Sequence, residues 1–74
     1  MGFMRKYSRS PKFISRKIKR LRNQRGLTQE ELAEIVGVSV NYIGYIEQNK
    51  RTPSIKTADK IARALGVKLS NLLE

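Results

Sequence analysis

The sequence predicts an all-α fold, and three observations support that prediction. Apolar residues recur at intervals of three and four along most of the chain, which places them on one face of a helix. Capping residues and glycines separate these periodic segments, as helix starts and stops do. No segment alternates apolar and polar residues over the length of a strand. With 74 residues, the chain has room for one domain.

The first helix is predicted from about residue 12 to about residue 25. Ser10 suits the N-cap position, and Pro11 suits the first helical position, where its missing N–H has no partner to lose. Gly26 suits the left-handed position after the last turn, and Leu27 can fold back onto the helix. The apolar residues at helical spacing are Phe13, Ile14, Ile18 and Leu21.

Two short helices follow, joined by a tight turn. Thr28 and Glu31 have the spacing of a capping box, in which each side chain bonds the backbone N–H of the other residue. This second helix ends at Gly37, and Ser39 then caps a third helix over about residues 40–47. The apolar stripe of the second helix is Leu32, Ala33 and Val36.

A fourth helix and a short fifth helix complete the predicted architecture. Asn49 suits a left-handed terminator of the third helix, and Pro53 prevents its continuation. Ser54 caps the fourth helix, which ends at Gly66. The apolar face of the fourth helix is Ile55, Ala58, Ile61, Ala62 and Leu65. The last helix carries Val67, Leu69, Leu72 and Leu73.

Positive charge is concentrated at the start of the chain. The 16 Lys and Arg residues outnumber six Asp and Glu residues, for a net charge of +10. Ten of the 16 lie in the first 25 residues, which contain no acid, whereas residues 26–49 contain four glutamates and no base. Such a surface favours a polyanion, above all nucleic acid, because each neutralised phosphate releases counterions. A solubilising tail, or attraction of residues 5–25 to anionic lipid, is the alternative.

The same charge pattern divides the chain in two. Residues 1–11 mix charge, Gly and Ser, and they are predicted to form a flexible basic N-terminal arm. Residues 12–74 contain all five predicted helices and form the domain itself.

Composition argues against an enzyme. The chain has no cysteine and no histidine, so thiolate chemistry and the commonest general base and metal ligand are missing. We expect no catalytic residue, metal, cofactor or small-molecule ligand. No stretch approaches the roughly 18 apolar residues of a membrane span, and the first residues lack the apolar core of a signal peptide. We therefore expect no membrane partner and a cytoplasmic location, with the nucleoid.

The second and third helices have the frame of a helix-turn-helix. With about 100° of rotation per residue, the third helix turns Tyr42, Ile43 and Ile46 toward the core. The opposite face could touch base edges, because an asparagine amide can pair with adenine and a valine can meet a thymine methyl. A tyrosine can reach a base or a phosphate, and a glycine permits close approach of a backbone. The candidate base-reading residues are therefore Val40, Asn41, Gly44 and Tyr45.

These segments resemble the phage-repressor family, the Cro-like and Xre-like regulators. The matching stretches are Leu27–Ala33, Val36–Ser39, Tyr42–Glu47 and Lys50–Ser54. The resemblance implies a compact five-helix, repressor-like DNA-binding domain whose third helix enters the major groove. It also implies a dimer on two half-sites about one DNA turn apart.

Phosphate contacts are expected from outside the third helix, which has no Arg or Lys. The commonest guanine contact is thereby missing, which favours an A·T-rich site or recognition of DNA shape. Gln29 lies in the first turn of the second helix, where free N–H groups favour an anion, and the resemblance implies that it binds phosphate. The other candidate phosphate-binding residues are Ser39, Asn49, Lys50 and Arg51, with Arg9 and Lys12 near the arm.

The resemblance also implies an ion pair between the first and third helices. In that family, an arginine of the first helix pairs with the glutamate that ends the third helix, and Arg22 and Glu47 match those positions. We expect the pair to be structural, because it would fix the angle of the third helix. Self-association is expected as well. Leu69, Leu72 and Leu73 either close the core or form a homodimer seam.

The sequence thus predicts a sequence-specific transcriptional regulator, more specifically a repressor, that binds double-stranded DNA as a homodimer. An antitoxin or an adaptor-type interaction module on the same fold is the alternative. A free apolar surface beyond the dimer seam, or a partner that copurifies, would favour that alternative.

Overall fold

Five α-helices and no strand make up the part of the chain that the structure describes. The computed structural model describes the backbone of residues 2–73 and the side chains of residues 13–73. The helices are α1 (Gly2–Gln24), α2 (Gln29–Val36), α3 (Val40–Glu47), α4 (Ile55–Ala64) and α5 (Leu69–Leu73). The all-α prediction is confirmed.

Local capping begins α2, as predicted. The Thr28 side chain accepts a hydrogen bond from the backbone N–H of Glu31 at 3.0 Å. The Glu31 carboxylate in turn accepts one from the backbone N–H of Thr28 at 2.8 Å. Two of the N–H groups that an α-helix leaves without internal partners are thereby satisfied.

Single caps begin the next two helices. The Ser39 hydroxyl accepts a hydrogen bond from the backbone N–H of Tyr42 at 3.1 Å, at the start of α3. The Ser54 hydroxyl accepts one from the backbone N–H of Thr57 at 3.1 Å, at the start of α4. Both predicted N-caps are confirmed, because an N-cap depends only on residues three positions apart.

One apolar core joins all five helices. α3 packs on α2 and α1, α4 packs on α2 and α5, and α5 also contacts α1. The seven large side chains that are almost completely buried come from every helix: Ile18, Leu32, Ile43, Ile46, Ile61, Leu65 and Leu72. The core therefore depends on packing between helices, none of which except α1 is longer than ten residues.

The predicted start of α1 is wrong. The helix begins at Gly2 instead of near residue 12, so Ser10 and Pro11 lie within it. A proline inside a helix loses one backbone hydrogen bond, but its fixed φ is helical. Residues 3–9 contain no glycine or proline that would interrupt a helix, so nothing in them prevents α1 from beginning before residue 12. A division of function between residues 1–11 and 12–74 stays a prediction.

Two residues assigned to the core are exposed instead. Phe13 is 43% exposed, because it lies about 100° around α1 from Ile14, which takes the core position next to it. Ile55 is 65% exposed. It is the first residue of α4, one turn before Ala58, and so lies at the end of the apolar face rather than over the core.

A long-range contact ties the ends of α1 and α4 together. The Arg25 Nε donates a hydrogen bond to the backbone carbonyl of Leu65 at 2.9 Å. That carbonyl belongs to the C-cap of α4, where the helix dipole favours a positive charge. No local pattern in the sequence predicts this contact, because the two residues are 40 positions apart.

Removing the capping box is expected to destabilise the domain. Thr28→Ala should lower the free energy of unfolding by about 1 kcal/mol, because the backbone N–H of Glu31 loses the hydroxyl that accepts its hydrogen bond. For a domain of this size that corresponds to a fall in Tm of roughly 4–8 °C. Thermal denaturation followed by circular dichroism would measure the change. Thr28→Ser is the control and should melt like the parent, and equal melting of all three proteins would contradict the prediction.

Candidate nucleic-acid interface

A tight turn positions α3 against α2. Gly37 ends α2 with φ of 85°, a left-handed conformation that a residue with a Cβ rarely adopts. The backbone N–H groups of Gly37 and Val38 both donate to the carbonyl of Ala33, at 2.8 and 3.0 Å. The chain therefore reverses within two residues and enters α3 at Ser39, which gives a helix-turn-helix.

The two faces of α3 differ in burial as its periodicity predicts. Ile43 and Ile46 are buried in the core, and Tyr42 is half-buried beside them. The opposite face holds the four predicted base-reading residues. Val40, Asn41 and Tyr45 are exposed, and Gly44 is half-buried. The protein thus presents an apolar side chain, an amide and a phenol along two turns of an uncharged helix face.

A buried ion pair fixes the C-terminal end of α3 to α1. The Arg22 Nε donates to Glu47 Oε2 at 2.6 Å, and its Nη2 donates to Glu47 Oε1 at 3.1 Å. The two side chains are only 10% and 2% exposed. Arg22 also donates from Nη1 to the carbonyl of Leu27 at 2.6 Å. This bidentate geometry holds both partners in one orientation and so sets the angle of α3.

Gln29 extends this pair into a three-residue network. Its Nε2 donates to Glu47 Oε1 at 3.0 Å, so the same carboxylate oxygen accepts from Gln29 and Arg22. Gln29 is half-buried at the first position of α2. A primary amide has two N–H donors, and the bond to Glu47 uses one of them. Sequence reasoning missed this contact, since the two residues are 18 positions apart.

Gly44 has no structural requirement within the described part of the chain. Its φ is not positive. A Cβ built there would lie 3.9 Å from the nearest atom outside its own helix backbone, the Oε1 of Gln29. That distance is an ordinary van der Waals contact, so an alanine would fit the isolated domain.

The candidate phosphate-binding residues surround α3 at both ends. Ser39 is exposed before its first turn, where the hydroxyl acts as the cap and can still donate its own hydrogen. Asn49 has φ of 62°, as predicted for the terminator, and Lys50 and Arg51 after it are exposed. The side chains of Arg9 and Lys12 lie outside the described residues.

One residue of the predicted dimer seam is misassigned. Leu72 is fully buried in the core of its own chain and cannot contact a second copy. Leu69 is half-buried, and Leu73 is 48% exposed. The helical spacing explains the error, because residues at i, i+3 and i+4 share one face of a helix, whether that face packs on the chain's own core or on a second copy.

Neither a metal site nor a membrane span is found in the part of the chain that the structure describes. No three carboxylates among the described residues are grouped as metal ligands would be. No described helix combines the length and the apolar character that crossing a bilayer requires.

The chain is similar to known helix-turn-helix proteins. A sequence model of the family described as helix-turn-helix matches residues 18–72. The chain is 42% identical over 62 residues to the HTH-type transcriptional regulator SutR of Escherichia coli, covering 84% of this chain and 35% of SutR. It is 37% identical over 60 residues to the immunity repressor protein of Bacillus phage phi105, covering 81% of this chain and 42% of that repressor. The chain therefore spans less than half the length of either relative.

The fold is also similar to a solved protein–DNA complex. The crystal structure of SinR, a regulator of biofilm formation from Bacillus subtilis, contains DNA. The two structures superpose with a TM-score of 0.78 at 39% sequence identity, over 82% of this chain and 98% of that chain. The helical arrangement and part of the sequence are thus shared with a protein that binds DNA.

Breaking the buried ion pair is expected to destabilise the domain strongly. Glu47→Ala leaves the Arg22 guanidinium buried without its partner, which typically costs about 3–5 kcal/mol. Urea denaturation would measure the loss. If the variant is unfolded at room temperature, Glu47→Gln keeps the shape and an acceptor and should show a smaller, measurable loss.

A surface pair provides the matched control. Asp59 and Arg63 form an ion pair at 3.1 Å with the arginine side chain 80% exposed. Asp59→Ala should cost less than about 1 kcal/mol, because exposed pairs contribute little. Equal losses for Glu47→Ala and Asp59→Ala would show that the buried pair has no special structural role.

Proposed function

Because this chain belongs to the helix-turn-helix family, we propose that it is a sequence-specific DNA-binding transcriptional regulator whose α3 reads an operator in the major groove. One observation carries the proposal. Val40, Asn41 and Tyr45 form an exposed face on a helix whose opposite face is buried and whose end is fixed by the Arg22–Glu47 pair. A base-reading surface needs this combination of exposure and rigidity, because bidentate base contacts tolerate little displacement.

Each residue of the exposed face has a chemical role in the proposal. The Asn41 amide pairs with the N6 and N7 positions of adenine. Val40 packs against a thymine methyl, and the Tyr45 hydroxyl bonds a base edge or a phosphate oxygen. Since α3 carries no arginine or lysine, guanine contacts of the commonest kind are absent from the helix. We propose an A·T-rich operator for this reason, with DNA shape as a second source of specificity.

Phosphate contacts on both sides of the groove would hold α3 in register. Gln29 stands at the start of α2 with one N–H donor engaged by Glu47, and its second donor is available to a phosphate oxygen. Lys50 and Arg51 are exposed after α3 and would contact the backbone at its other end, with Ser39 and Asn49. Arg9 and Lys12 are proposed as further contacts. Such contacts position the protein and carry no sequence information.

We further propose that the protein acts as a dimeric repressor at the nucleoid. Two domains related by a two-fold axis would read half-sites about one DNA turn apart. Leu73 is the predicted seam residue that is exposed, and it supports a contact through α5. The similarity to a phage immunity repressor supports the direction of regulation.

A protein-interaction module on the same fold is the second candidate function. Ile35 is 58% exposed on α2, next to Glu34 in the sequence, and it is an apolar side chain outside the proposed seam. An antitoxin or adaptor would use such a residue for a partner. A copurifying protein that is lost on Ile35→Ser, together with the absence of any preferred DNA sequence, would favour this candidate.

Selection of bound fragments from random duplexes tests the main proposal. The selected sequences should share two half-sites separated by about one helical turn. Asn41→Ala should remove the preference at one base pair in each half-site and reduce affinity there by about 1–3 kcal/mol. Gln29→Ala should weaken all sequences alike, and Lys60→Ala on α4 should change neither. No common sequence, or an unchanged preference for Asn41→Ala, would overturn the proposal.

Gly44→Ala provides an independent test, since stability and binding should change in opposite directions. In the free protein the added methyl group makes only an ordinary van der Waals contact with Gln29, and alanine is the better helix former by about 0.5–1 kcal/mol. The variant should melt at a higher temperature than the parent. Its affinity for the selected operator should fall, because the methyl group projects from the reading face. Unchanged or increased affinity would show that Gly44 does not allow close approach of DNA.

A further inference from the structure

A second basic surface lies on α1, apart from the α3 face. Arg16, Lys19 and Arg20 are exposed and follow one side of the helix. They border a groove of about 490 Å³. We call this surface the outer face of α1, and its lining residues are Arg16, Lys19, Arg20, Asn23 and Gln24.

The outer face points away from α3. Arg22 marks the side of α1 that faces α3, since it binds Glu47. At 3.6 residues per turn, Arg16 and Arg20 lie about 120° and about 160° around the helix from Arg22. Ile14 and Ile18 occupy the buried side. Arg16 and Arg20 therefore lie on a different side of α1 from the residue that holds α3.

The positive charge of the outer face is not neutralised within the described residues. The ion pairs found in residues 13–73 involve Arg22 and Arg63, neither of which belongs to this face. Next to it, the Lys17 ammonium lies 5.5 Å from the centre of the Phe13 ring. Three uncompensated cations within two helical turns create a local positive potential that attracts a polyanion.

We propose that the outer face of α1 binds the phosphodiester backbone of a second duplex segment, so that the protein bridges two stretches of DNA. Side chains one turn apart on a helix are about 5–6 Å from each other and can contact neighbouring phosphates. The Asn23 and Gln24 amides in the same groove can donate hydrogen bonds to phosphate oxygens. Binding through these groups is independent of sequence. This function goes beyond the reading of an operator by α3.

The composition of the face favours nucleic acid over an anionic membrane. A helix that lies in a membrane surface inserts a broad apolar face beside its basic residues. In the described part of α1, residues 13–24, Ile14 and Ile18 are buried in the core, and Phe13 is the one large apolar residue that is exposed. One exposed phenylalanine beside several cations offers less apolar area than insertion into a membrane surface needs, which favours binding to a phosphate backbone.

A capture experiment tests the bridge. A biotinylated duplex of arbitrary sequence is fixed on beads, the full chain is added, and capture of a second, fluorescent duplex is measured. Arg16→Gln/Arg20→Gln should reduce capture on the order of tenfold at low salt, because two phosphate contacts are lost. The slope of log capture against log salt concentration should become shallower by about 1.8, because each of the two lost phosphate contacts contributes about 0.9. Fluorescence anisotropy measures the binding of a single duplex, and here Arg16→Gln/Arg20→Gln should bind as tightly as the control variant Lys60→Gln/Lys68→Gln.

Two matched variants make the result specific. Lys60→Gln/Lys68→Gln removes the same charge from exposed positions outside α1 and should retain capture. Arg16→Lys/Arg20→Lys keeps the charge and should also retain it. Circular dichroism checks that all variants fold. If Arg16→Gln/Arg20→Gln captured as much DNA as Lys60→Gln/Lys68→Gln, the proposal would be overturned. A dimer that bridges two duplexes through its two α3 faces would give that result. Loss of capture in the lysine variant would overturn it as well.

A vesicle experiment separates the membrane alternative. Vesicles of phosphatidylserine and phosphatidylcholine replace the second duplex. If Arg16→Gln/Arg20→Gln lost binding to vesicles but captured DNA as well as the parent, the proposal would be overturned. The face would then be assigned to lipid. Since the capture assay uses arbitrary sequences, its outcome does not depend on whether α3 reads an operator.

Discussion

The orientation of α3, and with it the proposed DNA-reading geometry, depends on the carboxylate of Glu47. It receives hydrogen bonds from Arg22 on α1 and from Gln29 at the start of α2, so three helices meet at one side chain. The apolar core alone would allow α3 to rotate or slide slightly, since the hydrophobic effect is non-directional. A bidentate charged contact has a fixed geometry and removes that freedom. These hydrogen bonds restrict the orientation of α3 and of its exposed face.

Charge is distributed so that each surface of the domain has a separate task. The outward side of α1 is basic, α2 carries Glu30, Glu31 and Glu34, and α3 has no basic residue. Basic residues on a reading helix would add phosphate contacts that are independent of sequence. Lys50 and Arg51 follow the C-terminal end of α3 and other cations lie on α1, so the exposed face of α3 is uncharged. The glutamates of α2 would repel a duplex that approached the domain from that side.

Local features were predictable from residue spacing, and long-range contacts were not, except for the Arg22–Glu47 pair, which the family resemblance implied. The caps at Thr28, Ser39 and Ser54 depend on residues three positions away, and the structure has all three. The inner and outer faces of α3 also follow from its periodicity. Pro11 misled the prediction because a proline suits a helix start and is also tolerated, at a cost, within a helix. The Arg25–Leu65 and Gln29–Glu47 contacts join residues 40 and 18 positions apart, and only folding brings them together.

The separation between the network that holds α3 and the face it exposes has an evolutionary consequence. Glu47, Ile43 and Ile46 anchor the helix from behind, whereas Val40, Asn41 and Tyr45 are exposed and take no part in the hydrogen-bond network around Glu47. Substitutions on the exposed side can therefore accumulate at little cost in folding. A duplicated copy of the gene could acquire a new binding preference in a few steps while it inherits an intact scaffold.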